Sequence, residues 1–313
     1  MLNSTKRMFL ETLRHPKVSL FRLAYLLGAD ARISKVPDLR DYALNLPDRY
    51  ATRYREELAY LEGVEAESLV GCVFPYPRVR PPRAVEAGRD AATGLPYVLH
   101  RGGRLHFPRR WTPGAAEAAY RNVLEVEGIT GEGCLAKSPH AYERGDFRVE
   151  ADDVVLDVGC AEALFALDVA ARVRKVYLFE SDPAWAAPLA ATFAPFGGKV
   201  RILPRRVCGE TGPGRTRLAD AVRDEPAGSS YFIKMDIEGA EREVLAASRD
   251  FLVSNRVKLA CCVYHRQDDE RVLGALLESY GFRLSFSDGY MLTGVNGIRH
   301  PYFRRGVMYA RNF

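Results

Sequence analysis

The stretch VVLDVGCAEALFALDVAARVRKVYLFESD, residues 154–182, decides the fold. Its two apolar runs, 154–156 and 176–179, flank a glycine-containing turn and a segment with helical periodicity. This order is typical of a β-α-β unit, whose two strands are parallel neighbours in a sheet. Asp157 and Glu180 directly follow the two apolar runs. Both carboxylates are therefore predicted to lie at the carboxyl edge of the sheet, where open α/β sheets bind ligands.

The turn between strand and helix favours a nucleoside without phosphates. Gly159 supplies the turn, but Ala161 and Ala163 stand where a dinucleotide-binding loop has its second and third glycines. Glu162 would repel a pyrophosphate at the start of the helix. Glu180 is placed to accept hydrogen bonds from ribose hydroxyls. S-Adenosylmethionine, which carries a sulfonium and an ammonium, meets these conditions, and an NAD-dependent oxidoreductase is the less favoured alternative.

Four segments of the chain resemble one enzyme family. Residues 154–167 are similar to the first motif of class I S-adenosylmethionine-dependent methyltransferases. FIKMDIEGAEREVL, residues 232–245, resembles the hallmark of the FkbM family within that class, and SPHAY (138–142) and CVYH (262–265) also resemble FkbM-type members. The resemblance covers roughly residue 120 to the C-terminus. It implies an α/β fold with a doubly wound, mostly parallel, seven-stranded Rossmann-like sheet, and O-methylation of a sugar or secondary metabolite.

The expected cofactor site combines the β-α-β unit with later strand ends. The third strand is expected to end near the adenine, and the fourth at Asp236. The resemblance adds the glycine-flanked loop at 138–142. The predicted cofactor-binding residues are Asp157, Gly159, Cys160, Ala161, Glu180, Ser181, Val207, Asp236, Ser138, His140 and Tyr142.

The expected catalytic residues are His265, Asp236 and Glu238. His265 follows the predicted fifth strand and is the expected general base, because imidazole titrates near neutrality and a hydroxyl acceptor must lose a proton. A divalent cation held by the same three side chains is an alternative way to activate the hydroxyl. We do not favour the metal, because Asp236 and Glu238 point alike only if the strand continues through Ile237.

Several of these polar residues also have purely structural explanations. Lys234 and Asp236 share one face of a strand and could form a structural ion pair. Glu241 lies in the first turn of a predicted helix, where the helix dipole stabilises a carboxylate. Ala161 and Ala163 motivate a further alternative, a catalytically inactive nucleoside-binding module with a methyltransferase fold. The strand-end carboxylates and His265 together argue for an enzyme.

The remaining sequence alternates predicted helices and strands. Thr112 and Pro113 begin a helix that runs to about residue 127, and a hairpin is expected at 96–107. Residues 1–115 are expected to form an accessory region of helices and a β-hairpin, and residues 116–313 the S-adenosylmethionine-binding domain. Further helices are expected within 1–63 and at 162–172, 216–222 and 268–280. Further strands are expected at 67–74, 200–207, 231–235, 257–264, 283–287 and 307–311.

Composition narrows the class of protein. The 313 residues are 47% hydrophobic and carry a formal net charge of +5, which suits one large or two ordinary globular domains. The six cysteines include no C-x-x-C pair, so we expect a reduced, cytoplasmic protein without a zinc framework. No apolar run is long enough for a transmembrane segment, and no basic run alternates with aromatic residues as in a nucleic-acid groove. The expected partner is a small-molecule or saccharide acceptor, and a homo-oligomer is an open alternative.

Overall fold

The computed structural model describes residues 52–63, 72–73, 84–129, 138–292 and 303–313. Most of the helical region expected within 1–63 and of the strand expected at 67–74 lies outside these residues. The strands are β1 (Cys72–Val73), β2 (Ala87–Arg89), β3 (Pro96–His100), β4 (Gly103–His106), β5 (Val154–Val158), β6 (Lys175–Phe179), β7 (Val200–Leu203), β8 (Arg206–Val207), β9 (Arg215–Thr216), β10 (Ser230–Met235), β11 (Arg256–Cys262), β12 (Arg283–Phe286), β13 (Tyr290–Leu292), β14 (Phe303–Arg304) and β15 (Val307–Arg311). The α-helices are α1 (Arg55–Glu62), α2 (Pro113–Glu127), α3 (Leu164–Val169), α4 (Ala186–Phe193), α5 (Leu218–Ala221), α6 (Glu241–Ala247), α7 (Arg249–Ser254) and α8 (Asp269–Ser279). None of these helices is long and apolar enough to cross a membrane.

A seven-stranded sheet lies at the centre, in the order β12-β15-β11-β10-β5-β6-β7. The five strands from β11 to β7 are parallel to one another. β15 runs antiparallel to both β11 and β12 and closes the sheet. The prediction of a mostly parallel, seven-stranded, Rossmann-like sheet is confirmed.

Apolar side chains cover both faces of this sheet. Every residue of β5 and β10 is buried, as expected for parallel strands with helices on both sides. On one face, α3 and α4 contribute Phe165 and Leu189 to the core. On the other face, α6 and α8 contribute Leu245 and Leu273. Burial on both faces fixes the strands firmly, and their carboxyl ends meet at one edge.

The predicted hairpin is present as β3 and β4, and β2 adds a third strand that the sequence pattern does not reveal. Helix α2 begins after Thr112, whose hydroxyl accepts a hydrogen bond from the Ala115 N–H at 3.1 Å. It ends before Gly128, which adopts φ 64°. Leu105 of the hairpin and Leu164 of α3 belong to the same apolar cluster as α2. The hairpin therefore packs against the helices of the main sheet, and the domain division at residue 115 stays a prediction.

The third predicted strand and the helix of the predicted β-α-β unit are shorter than expected. The strand predicted at 200–207 is wrong in its length, because β7 stops at Leu203 and Pro204 has no N–H for the ladder. β8 instead pairs with β9 in a separate two-stranded sheet. The helix predicted at 162–172 spans only α3, because Ala163 adopts φ 59° and cannot lie within a right-handed helix.

Candidate active site

A cavity of about 780 Å³ opens at the carboxyl edge of the sheet, where β5, β6 and β10 end. Its volume is in the range of small-molecule binding sites. The residues predicted from the sequence that line it are Gly159, Ala161, Glu180, Ser181, Val207, Asp236 and Glu238. The other predicted residues are buried and do not form its wall; they are Asp157, Cys160, Ser138, His140, Tyr142 and His265.

The turn after β5 packs directly against the segment after β10. Gly159 adopts φ +78°, and a Cβ atom there would lie 2.0 Å from the carbonyl oxygen of Asp236. Only glycine fits this position. Ala161 and Ala163 also adopt left-handed φ values, 45° and 59°. This conformation costs an alanine about 1–2 kcal/mol, so the turn keeps backbone angles typical of glycine at some cost in stability.

Glu180 connects the end of β6 to this turn. One carboxylate oxygen accepts a hydrogen bond from the Ala161 N–H at 3.0 Å, and the other accepts from the Asp182 N–H at 2.7 Å. Each carboxylate oxygen has two lone pairs, so acceptor capacity is left for a ligand. Because Glu180 lines the cavity, this capacity is available to hydroxyl groups bound there.

Lys234 forms its ion pair with Asp157. The two residues lie opposite each other on β10 and β5, with Lys234 Nζ 3.1 Å from Asp157 Oδ1. The ammonium also donates to the Gly159 carbonyl at 2.6 Å and lies 5.2 Å from the centre of the Tyr142 ring. The sequence pattern suggests Asp236 as the partner of Lys234. The parallel register places Asp157 there instead.

Three carboxyl groups, those of Asp157, Glu127 and Glu162, interact with the charge of Lys234. Neither oxygen of Asp157 accepts a well-aligned hydrogen bond within the described residues. Burial raises the pKa of Asp157, raises that of Glu127 strongly, and raises that of Glu162 to about 7. Lys234 is the cation that offsets all three. A positively charged ligand group in the adjoining cavity would therefore be stabilised.

Asp236 is the centre of a hydrogen-bonded cluster. Its Oδ2 accepts from the Tyr142 hydroxyl at 3.1 Å and lies 3.4 Å from His140 Nε2. Its Oδ1 lies 3.5 Å from the Tyr264 hydroxyl and 3.2 Å from His265 Nε2. Burial alone would raise the pKa of Asp236, but the nearby rings of His140 and His265 hold that pKa well below its ordinary value. Asp236 is therefore an ionised acceptor at the cavity wall.

His265 lies between two carboxylates. Besides its contact with Asp236, its Nδ1 is 3.0 Å from Glu241 Oε1. Burial lowers the pKa of His265, but the hydrogen bonds and charges of Asp236 and Glu241 outweigh burial and raise the pKa to about 10. The two carboxylates therefore favour the protonated form of the ring. Its role as general base stays a prediction.

The loop at 138–142 is fastened to the closing strands of the sheet. The Ser287 hydroxyl donates to the Pro139 carbonyl at 2.7 Å, and the Tyr309 hydroxyl donates to the Ala141 carbonyl at 2.6 Å. A Cβ atom at Gly306 would lie 1.8 Å from the Pro139 oxygen. These contacts hold His140 against Asp236. Sequence reasoning missed them, because the partners are about 150 residues apart in the chain.

Sequence reasoning also missed the arginines that line the cavity: Arg205, Arg206, Arg242 and Arg266. Arg242 is fixed by Asp268 and Asp269, each at 2.7 Å. Arg205 and Arg206 follow the end of β7, and Arg266 directly follows His265. Their places just beyond strand ends are a signal that could have identified them, since those ends surround the site.

Comparisons with known proteins found similar solved structures and one matching family model. No curated protein matches the chain. Solved structures similar to it include methyltransferase FkbM from Methylobacillus flagellatus KT, with 20% identity over 61% of this chain and 52% of that chain and a TM-score of 0.44. A precorrin-6y C5,15-methyltransferase from Geobacter metallireducens GS-15 has 15% identity over 53% of this chain and 84% of that chain, with a TM-score of 0.36. An rRNA methylase from Streptococcus thermophilus has 15% identity over 53% and 91%, with a TM-score of 0.34.

The match thus spans about half the length of the FkbM structure. A family model described as "Methyltransferase FkbM domain" matches residues 201–284. These residues run from β7 to β12 and include the KMDIEGAE segment. The family-model match therefore covers part of the chain, including the segment at 232–245 whose motif resembles the FkbM family.

Proposed function

We propose that this protein transfers a methyl group from S-adenosylmethionine to a hydroxyl group of a small molecule or saccharide. The observation that carries the proposal is the cavity at the carboxyl edge of the sheet, which Gly159, Glu180 and Asp236 all line. These residues come from the ends of three neighbouring strands. Their side chains and backbone suit a nucleoside on one side and a polar acceptor on the other.

The residues present fit S-adenosylmethionine. Glu180 would bind the ribose hydroxyls, Val207 would contact the adenine, and the turn at Gly159 would hold the methionine part. The excess of carboxyl groups at Glu162 and Asp157 favours a cofactor that carries an ammonium and a sulfonium. When bound, the cofactor supplies an electrophilic methyl group.

The chain's own contribution to catalysis would be alignment and charge. Asp236 is ionised at the cavity wall, so it is suited to accept a hydrogen bond from the acceptor hydroxyl. His140, Tyr142 and His265 hold that carboxylate in place. Alignment of the hydroxyl for in-line attack can supply a large share of the rate enhancement.

The inactive-module alternative rests on the two alanines of the turn. Both adopt the left-handed angles that glycine would adopt, and Gly159 makes its close approach to Asp236. This geometry supports an enzyme over an inactive module. The cytoplasmic location, the absence of a nucleic-acid partner and the oligomeric state stay predictions.

The proposal is tested with methyl-labelled S-adenosylmethionine and a panel of saccharides, hydroxylated metabolites and RNA. We expect label on an oxygen atom of a small molecule or saccharide. Asp236→Asn keeps the size of the side chain and removes its charge, so turnover should fall by about 100-fold. Label found on RNA alone, or equal turnover by wild type and Asp236→Asn, would contradict the proposal.

A further inference from the structure

Three potential metal ligands meet at the cavity. His265 Nε2 lies 3.2 Å from Asp236 Oδ1 and 3.7 Å from Glu238 Oε2, and the ligand atoms of the three side chains all lie within 4.8 Å of one another. In an octahedral site with bonds of about 2.1 Å, adjacent ligands are about 3 Å apart. The three atoms can therefore occupy one face of such a site after small movements.

The histidine is oriented as metal-binding histidines are. The Nδ1 atom of His265 is 3.0 Å from Glu241 Oε1, and that oxygen also accepts a hydrogen bond from the Ile237 N–H at 3.0 Å. Within the described residues both ring nitrogens are buried without a well-aligned hydrogen bond, and Nε2 is directed at Asp236 and Glu238. A carboxylate behind the ring commonly fixes the free nitrogen of a metal-binding histidine.

Glu238 reaches the site through an unusual backbone conformation. β10 ends at Met235, so Glu238 is not on the strand. It adopts φ +56°, a left-handed conformation that costs a non-glycine residue about 1–2 kcal/mol. Its side chain is 82% exposed, and its carboxylate contacts His265. Strained residues of this kind concentrate at functional sites, and here the strain turns a carboxylate towards the cavity.

We propose that Asp236, Glu238 and His265 bind one divalent cation, with the remaining coordination positions facing the cavity. Two carboxylate ligands and no thiolate suit Mg²⁺ or Mn²⁺. Asp236, Glu238 and Glu241 supply three carboxylates around one imidazole, so a cation would relieve their mutual repulsion. The ion would polarise the acceptor hydroxyl. That catalytic role rests on the proposed function, whereas cation binding itself does not.

The test is a titration of the full chain with Mn²⁺ in the absence of cofactor and acceptor. Electron paramagnetic resonance measures the bound Mn²⁺ at each step. We expect one bound Mn²⁺ per chain, displaced by Mg²⁺. Glu238→Gln should weaken binding by about tenfold or more. Glu243→Gln is the matched control, because Glu243 is another exposed glutamate at the cavity wall that lies outside the triad. Both positions are exposed, and circular dichroism checks that both variants are folded.

The outcomes separate the two proposals. Mn²⁺ binding that is lost only in Glu238→Gln supports the cation site, even if S-adenosylhomocysteine does not bind. S-Adenosylhomocysteine binding without Mn²⁺ binding at millimolar concentration leaves the proposed function standing and overturns the cation site. Equal Mn²⁺ affinity in Glu238→Gln and Glu243→Gln also overturns it.

Discussion

Lys234 and Asp157 form a buried ion pair, 3.1 Å apart, between the two central strands β10 and β5. The pair lies directly beneath the turn at Gly159, to whose carbonyl Lys234 also donates. It therefore connects the core of the sheet to the proposed cofactor site. Loss of one partner would leave the other charge buried and unpaired.

Lys234→Met should lower the free energy of unfolding by about 3–5 kcal/mol, because it leaves the Asp157 carboxylate without its cation. The double variant Lys234→Met/Asp157→Asn should recover part of this loss, since neither charge is then left unpaired. Urea denaturation of the wild type, both single variants and the double variant measures the coupling. Additive effects of the two substitutions would contradict this account.

Glu162 should make the stability of the protein depend on pH. Burial raises its folded pKa from 4.5 to about 7. A group whose pKa is raised on folding contributes stability that is fully present below pH 4.5 and is lost as pH rises through about 7. In Glu162→Gln the free energy of unfolding should therefore decrease less between pH 4.5 and about 7 than it does in the wild type. Glu210→Gln, at an exposed position, is the control. If the free energy of unfolding of Glu162→Gln decreases with pH as steeply as that of the wild type, the prediction is wrong.

His265→Ala should leave the affinity for S-adenosylhomocysteine nearly unchanged, because His265 does not line the cavity. Turnover should fall by about 100-fold or more, since Asp236 loses the ring that holds it. If His265 acts as a general base, the lost activity should partly return as pH rises. If His265→Ala turns over as fast as the wild type, His265 is a structural residue of the core.

Much of the fold could be predicted from local patterns. Helix α2 was predictable to the residue, because Thr112, Pro113 and Gly128 mark its ends. β7 ends at Leu203, just before Pro204. The proline is visible in the sequence, but the apolar residues around it favour the prediction of a longer strand. β2 has three residues and no clear alternation, so its pairing with β3 decides its conformation.

The details of the site depend on contacts that no local pattern contains. The partner of Lys234 is set by the register of β10 against β5. The approach of Glu238 to His265 results from a left-handed residue after the strand has ended, whereas the sequence argument required the strand to continue. The pKa of His265 depends on Asp236 and Glu241 from another strand end and helix. Residue types at strand ends predict where a site lies, but not these pairings.

Glu180→Ala should weaken the binding of S-adenosylhomocysteine by about 1.5–3 kcal/mol, the contribution of hydrogen bonds to a charged group. The variant should still fold, because Glu180 is at a strand end and is not part of the apolar core. Asp182→Ala is the matched control, since Asp182 is an exposed carboxylate nearby that caps the Ala184 N–H. If Glu180→Ala and Asp182→Ala bind S-adenosylhomocysteine with equal affinity, Glu180 stabilises the turn and does not bind the cofactor.

The central claim is that the cavity binds a phosphate-free adenosine cofactor. The most direct measurement is the thermal unfolding of the wild type with S-adenosylhomocysteine and, separately, with NAD. At about 100 times its dissociation constant a ligand adds roughly 2.7 kcal/mol to the free energy of unfolding, so S-adenosylhomocysteine should raise the unfolding temperature clearly and NAD should not. A rise with NAD alone, or no rise with S-adenosylhomocysteine, would contradict the account.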